Sequence, residues 1–349
     1  MTRRARRVAV VGGGVAGLAL AAALPESVEV VVHEAQPERA RWGSALLLGP
    51  WVRPALQRLG VLDAVVRAGA PAGPGRILAL GGTPLTRAQD LHLLAVPRPA
   101  LLGALAAAVP STVRVLHEEV VDPASLDADV VVGADGVRSR VRGLVDPRRA
   151  GRVETPWVAL RGRLAAPPRP GTVGEYWGPG LLVGLVPSPG GGYWFTAHAS
   201  ALGPEPLDVA AVLDEVRGLA TGAADAVRTT LDGSTAGLTT TRLWTAPPMS
   251  RYARDRYVVL GDAAHAMTPN LGRGTGEALV DAVTLAERLA TGGSLSGWQA
   301  RRLPVTQAAR VASGAVMRAA LAGSGPGRAL RDAALRLSLA GAGRRGGTR

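Results

Sequence analysis

Cysteine is missing from this 349-residue chain, and lysine is missing with it: all 40 of its Lys and Arg positions are arginine. Without a thiol there is no disulfide framework, no thiolate metal site, no cysteine nucleophile and no cysteinyl-linked cofactor. The lack of cysteine fits a reducing compartment, and the expectation is a cytoplasmic protein. Isoleucine, phenylalanine and asparagine survive once each, as Ile77, Phe195 and Asn270. That is a coding bias toward Ala, Gly, Arg, Pro and Val. No G-x-S-x-G elbow, H-E-x-x-H helix or Walker A loop is present, and the five histidines lack metal-ligand spacing. Nor is there a run of ~20 apolar residues of the kind that spans a bilayer. MTRRARR followed by the apolar run from Val8 to Leu24 has the outline of a secretory leader, but such a leader has no use for Gly12, Gly14 and Gly17 at their spacing.

The net charge of +13 could attract nucleic acid, yet no helix-turn-helix, zinc-finger or RNA-binding signature accompanies it. Arginine-rich solvated ends and a surface suited to anionic cofactors are the simpler reading. The expected partners are a small molecule, no nucleic acid and no membrane span, with the chain a monomer or homodimer. The length allows one or two compact units with a large core.

Val8 to Val11 reads as a buried parallel strand, Gly14 to Leu24 as a helix of small residues, and Val28 to His33 as the next strand, the opening of a doubly wound fold. A short helix is expected over Trp51 to Leu59, turns and brief strands over Pro71 to Leu94, and a helix over Pro99 to Val109. Strands follow at Thr112 to Leu116 and Ala128 to Gly133. From Thr155 to His198 the pattern becomes that of an antiparallel sheet, and six aromatic residues fall there: Trp157, Tyr176, Trp177, Tyr193, Trp194 and Phe195. They serve equally well as strand and core residues or as a ligand-facing wall. A parallel strand returns after Tyr257, a helix spans Thr275 to Leu289, and Arg301 to Leu339 is helical with a break at Gly323 to Gly327.

Gly12, Gly14 and Gly17 form G-x-G-x-x-G between a strand and a helix. The first permits the tight turn, the second lets backbone approach a pyrophosphate, and the third allows helix to pack on strand. The helix N-terminus supplies free N–H groups for phosphate. Glu34, at the end of the second strand, is placed to accept hydrogen bonds from ribose hydroxyls. This unit binds an adenine dinucleotide, NAD or FAD alike.

Two further segments, VVGADGVRSRVR from Val131 to Arg142 and YVVLGDAAHAMTPNLGRG from Tyr257 to Gly274, resemble those of the class A flavoprotein monooxygenases of the para-hydroxybenzoate hydroxylase type. The resemblance covers most of residues 7 to 300. It implies an α/β fold: a Rossmann-like FAD-binding domain over 1–70, 95–155 and 250–300, and an inserted antiparallel β-sheet substrate domain over 71–94 and 156–249. A C-terminal helical segment over 301–340 and a disordered tail over 341–349 complete the expectation. Asp135 and Gly136 match the motif associated with FAD and the pyridine nucleotide, while Gly261 and Asp262 match the one that holds the ribityl chain. The loop of Pro269, Asn270, Gly272 and Gly274 matches the segment running past the isoalloxazine ring, where a helix N-terminus favours negative charge on reduced flavin. Asn270 is either a turn survivor or a residue of that loop. Arg98 matches an arginine of the flavin region and Arg41 one near the FAD phosphates, with a plain surface role as the competing reading for each. For His265 and Asp281, core hydrogen bonding or helix capping is the expected role. The spacing from His117 to Val131 is shorter than in relatives.

The resemblance further implies non-covalent FAD, reduction by NADPH or NADH as a transient co-substrate, and dioxygen adding at flavin C4a to give a hydroperoxide that hydroxylates or epoxidises an aromatic or polycyclic small molecule. Tyr176, Trp177 and Trp194 are the pocket candidates, and His198 is the candidate base near a substrate hydroxyl. An FAD oxidase or dehydrogenase and a non-catalytic flavin-binding protein are the alternatives. A flavin halogenase is excluded, since by resemblance it requires a lysine.

Overall fold

Val8 to Val11 is apolar on both sides because the strand it forms, Arg7–Val11, lies inside a parallel sheet covered on both faces. The structure is a computed structural model that describes residues 5–38, 45–233, 237–323 and 325–340. It divides into two compact units. The first holds the chain to Ala68, Val96–Glu154 and Trp244–Gly314; the second holds Gly69–Ala95, Thr155–Leu243 and the chain from Ala315.

The first unit is built on six strands in the order Ala253–Arg254, Tyr257–Val259, Val130–Gly133, Arg7–Val11, Glu29–His33 and Arg114–Leu116. All neighbours run parallel except the first pair, which is a hairpin. Val8, Val10, Val30, Val32, Val131, Val132, Val258 and Val259 are each 2% exposed or less, which explains strands without alternation. The helix Val15–Ala23 joins the first two strands in sequence and packs against the helix Gly274–Thr291. Small residues make that approach possible: a Cβ on Gly261 would press on Ala16 and Ala278. The helix expected over Trp51 to Leu59 is a 3-10 turn, Pro50–Val52, running into Arg53–Arg58, and Gly60 closes it with φ +67°.

In the second unit the strand order is Thr239–Thr245, Val153–Leu164, Gly191–Ala199, Leu181–Ser188, Gly174–Trp177 and Arg76–Ala79. The three pairings within residues 153–199 are antiparallel, as expected there, and Arg76–Ala79 adds an edge strand that runs parallel to Gly174–Trp177. Two helices missed in the sequence, Val209–Leu219 and Asp225–Gly233, bury Val212, Leu213, Val216, Val227 and Leu231 against one face. The start of Val209–Leu219 is legible in retrospect, since the Asp208 carboxylate accepts the Ala211 N–H at 2.8 Å as an N-cap. Against the other face lie Met317 and Ala320, from the helix Leu295–Ala320, and Leu335, from Pro326–Ala340. Residues 301–340 are helical, in Leu295–Ala320 and Pro326–Ala340, and the part up to Gly314 clusters with the first unit and the rest with the second. The tail at 341–349 lies outside the described residues.

Candidate functional site

The glycine turn comes first. Gly12 has φ +106°, and a Cβ there would collide with the Ala134 carbonyl; a Cβ on Gly17 would collide with the carbonyl of Gly12. Neither position tolerates a side chain. Gly14 differs, because nothing lies within 4 Å of where its Cβ would stand, so the backbone there is bare toward open space. The helix that follows has no side-chain cap and no acidic residue in its first turn, leaving its N–H groups free for an anion. Glu34 Oε2 accepts the Gly13 N–H at 2.6 Å and Oε1 accepts the Gln36 N–H at 2.7 Å. Each oxygen keeps a lone pair for a further donor.

Gly12, Gly14, Glu34, Arg98, Asp135 and Arg140 line one cavity of about 650 Å³. Arg98 opens the helix Arg98–Ala108. Arg41 lies outside the described residues. In the second motif, Asp135 Oδ2 accepts the Arg140 N–H at 2.8 Å, whereas its buried Oδ1 has no partner among the described residues. Burial pushes this carboxyl above the ordinary range, against the hydrogen bonds from Ser139 and the neighbouring backbone. Gly136, at φ +71°, makes the turn. Arg142 was not singled out in the sequence, where nothing distinguishes it from its many fellow arginines. It is fully buried, and its guanidinium donates to the carbonyls of Val137, Arg149, Gly151 and, at 2.9 Å, Ala263. It therefore ties the second motif to the third.

Gly261 has φ +58° and precedes the short helix Asp262–His265, whose first residue, Asp262, is exposed. The turn is held from beneath. Asp281 Oδ2 accepts the Gly261 N–H at 3.0 Å and meets His265 Nε2 at 2.7 Å, while Oδ1 accepts Arg302 Nε at 2.6 Å. Arg302 also reaches Glu277, which in turn pairs with Arg273. Burial alone would raise the Asp281 carboxyl, but the His265 ring and the Arg302 guanidinium outweigh it and hold it below the usual carboxylate range. His265 and Asp281 are thus core hydrogen-bonding residues. Arg302 and Glu277 complete the brace, although no motif marks them in the sequence. Beyond it, Pro269–Leu271 forms a 3-10 turn, Gly272 takes φ +59°, and the helix begins at Gly274. The side-chain oxygen of Asn270 is buried and unpartnered among the described residues.

The three motifs share a geometric origin. Each follows one of three adjacent parallel strands, whose last residues Val11, Gly133 and Val259 stand in register, so all three turns emerge at the carboxyl edge of the sheet. That edge is where dinucleotides bind in doubly wound folds. The residues fit FAD: a bare glycine, an uncapped helix end, and buried acceptors on Asp135 and Asn270 that lack donors.

The pocket candidates of the second unit divide by strand alternation. Tyr176 and Trp194 belong to the core beneath the two helices, at 2% and 0% exposure, and the Tyr176 hydroxyl donates to the Thr172 carbonyl at 3.0 Å. His198 is fully buried, four residues beyond Trp194 and on the same face by alternation, and its Nε2 meets Glu215 at 3.0 Å. The expectation that these three touch substrate is corrected: their face of the sheet is filled by helix. Trp177 lies on the opposite face with Phe195.

A family model described as an FAD binding domain matches residues 224–312. The chain is 31% identical over 324 residues to the aurachin C monooxygenase/isomerase of Stigmatella aurantiaca, covering 84% of this chain and 83% of that one. It is 34% identical over 318 residues to the 3-amino-4-hydroxybenzoate 2-monooxygenase of Streptomyces cremeus, covering 82% and 79%. Among solved structures, Klebsiella pneumoniae HpxO complexed with FAD and uric acid shares the fold with a TM-score of 0.81 at 20% identity, covering 95% of this chain and 92% of that one. Likeness along most of its length to named monooxygenases, together with three dinucleotide turns on one sheet edge, establishes that the chain belongs to the class A FAD-dependent flavoprotein monooxygenases.

Proposed function

We propose that this monooxygenase uses NAD(P)H and dioxygen to hydroxylate or epoxidise an aromatic or polycyclic small molecule. The observation that carries the reading is the register of Val11, Gly133 and Val259, which delivers three separate turns to one edge. Aurachin C and 3-amino-4-hydroxybenzoate, the compounds named for two relatives, support the substrate class.

Bound FAD would supply the redox chemistry between nicotinamide, dioxygen and substrate, with one oxygen atom entering substrate and the other leaving as water. The chain's own work is to bind, orient and exclude water. Gly12 to Gly14 and the free N–H groups of the first helix would hold the pyrophosphate, and Glu34 a ribose. Asp262 would hold the ribityl chain, and the turn from Pro269 to Gly274 would border the ring. Arg142 and the Asp281 brace keep the second and third turns fixed, so that little reorganisation accompanies the reaction.

The test is to purify the full chain with FAD and follow NADPH and NADH oxidation under oxygen, with and without aromatic carboxylates and quinolones. The expected result is yellow protein whose nicotinamide oxidation is stimulated by an aromatic compound, with one oxygen atom from labelled dioxygen in the product. Protein that takes up no FAD, or whose flavin neither nucleotide reduces, defeats the proposal.

A further inference from the structure

One cross-strand row on the side of the second unit's sheet away from Val209–Leu219 and Asp225–Gly233, the side that Met317, Ala320 and Leu335 partly cover, is unlike its neighbours. The register places Ile77 beside Glu175, Glu175 beside Gly184, Gly184 beside Phe195 and Phe195 beside Arg161, so all five share a face. The adjacent row holds Trp177, Leu182 and Ala197, all buried in an apolar cluster. In the Arg161 row, by contrast, Ile77, Glu175, Phe195 and Arg161 are only half-buried. Gly184 has no side chain, and a Cβ there would run into the Phe195 ring. The far end of the ring therefore occupies the space over Gly184 and forms the floor of the row.

The two ends of the floor carry opposite charge. Arg161 has no carboxylate partner among the described residues, and burial draws its guanidinium down from the ordinary arginine range with no compensating charge. Glu175 Oε2 accepts the Trp177 Nε1–H at 2.8 Å, which fixes the carboxyl and leaves Oε1 to accept from elsewhere. Their backbones stand three strand spacings apart, about 14 Å. A half-buried guanidinium without a partner is costly to maintain in an apolar setting, and an anion relieves that cost.

The geometry points to the Arg161–Phe195–Gly184–Glu175 row as the strip that reads the substrate: a flat bicyclic aromatic lies over Phe195, with an anionic carboxylate or phenolate toward Arg161 and an N–H donor toward Glu175. This rests on the proposed aromatic substrate class and narrows it to bipolar planar molecules. Arg161 and Glu175 become specificity residues, and Trp177 a positioning residue that acts through Glu175.

The test uses the FAD-loaded full chain and calorimetric titration with three probes: indole-5-carboxylate, which carries both groups, naphthalene-2-carboxylate, which lacks the N–H, and indole, which lacks the carboxylate. Wild type is expected to bind indole-5-carboxylate about tenfold more tightly than either of the others, since one charge-assisted hydrogen bond is worth that much or more. Arg161→Gln is expected to weaken both carboxylates about tenfold to a hundredfold and leave indole unchanged. Glu175→Leu is expected to erase the preference for indole-5-carboxylate over naphthalene-2-carboxylate. Glu175→Gln, which keeps an acceptor for Trp177, decides the matter should the leucine variant fail to retain flavin. Equal binding of all three probes to wild type, or unchanged selectivity in the variants, overturns the strip. Substrate-stimulated NAD(P)H oxidation is read on the same samples. Turnover with flat selectivity removes the strip and keeps the monooxygenase, while selectivity without turnover does the reverse.

Discussion

Two groups of buried charge in this molecule are built on opposite terms. In the first unit every carboxylate oxygen of Asp281 and Glu277 has an imidazole or a guanidinium against it, supplied by His265, Arg302 and Arg273. In the second, Glu175 has an indole N–H and Arg161 has no carboxylate among the described residues. Desolvation works against all of these charges, yet Asp281 ends below the usual carboxylate range while burial pushes Glu175 up to about 6. A charged group whose partners are complete can only brace what it touches, here the Gly261 turn. One left incomplete keeps a capacity for ligand, at some expense in stability.

The contrast can be broken hardest at Arg302. Arg302→Met leaves Asp281 and Glu277 short of a cation and is expected to cost about 3–5 kcal/mol, read by chemical denaturation. The closed group also has a pH signature. Because the folded Asp281 titrates below its unfolded value, its contribution is present above about pH 4 and is lost as pH falls through the folded value. Asp281→Asn should therefore destabilise at neutral pH and flatten the acid limb of the unfolding curve.

Glu175 should behave with the opposite sign. Its folded pKa is raised from 4.5 to about 6, so the folded state binds the proton more tightly, and stability declines as pH rises across that window. Glu175→Gln is expected to match wild type below pH 4.5 and to exceed it by about 2 kcal/mol above pH 6. Equal stability across the whole range would remove the distinction between the two groups.

A smaller effect separates charge from backbone in the first unit. Gly14 has φ −76° and open space beyond it, so Gly14→Ala should leave the unfolding midpoint nearly unchanged while weakening FAD about tenfold or more, roughly 1.4 kcal/mol. Flavin retention on gel filtration would show it. The exposed Arg7–Asp127 pair serves as the baseline: Arg7→Ala should change stability by less than about 1 kcal/mol.

The glycine turn was legible in the sequence because its demands are local. Gly12 and Gly17 sit where a Cβ meets backbone, and only one residue type answers that requirement. The same holds for the uniformly apolar valine strands, whose burial on both faces leaves no alternation to misread. The aromatic wall was not legible. Tyr176 and Trp177 are adjacent in the chain, and pleating sends one beneath the helices and the other to the opposite face. Which face a helix covers depends on Val209–Leu219 and Asp225–Gly233, and His198 followed Trp194 to the covered side.

The sequence by itself determined the doubly wound start, the three turns and the dinucleotide they serve, because strand burial, positive φ and phosphate approach are each specified by residues a few positions apart. Only the tertiary structure decided which of the 40 basic residues matter. Arg142, Arg302 and Arg161 look alike in the chain, and they part company through pairings across distances of up to 121 residues: one on backbone carbonyls, one between two carboxylates, one with no carboxylate partner among the described residues. Charge carries no meaning until folding removes the water around it, and what then stands beside each guanidinium is set by strand register and helix packing.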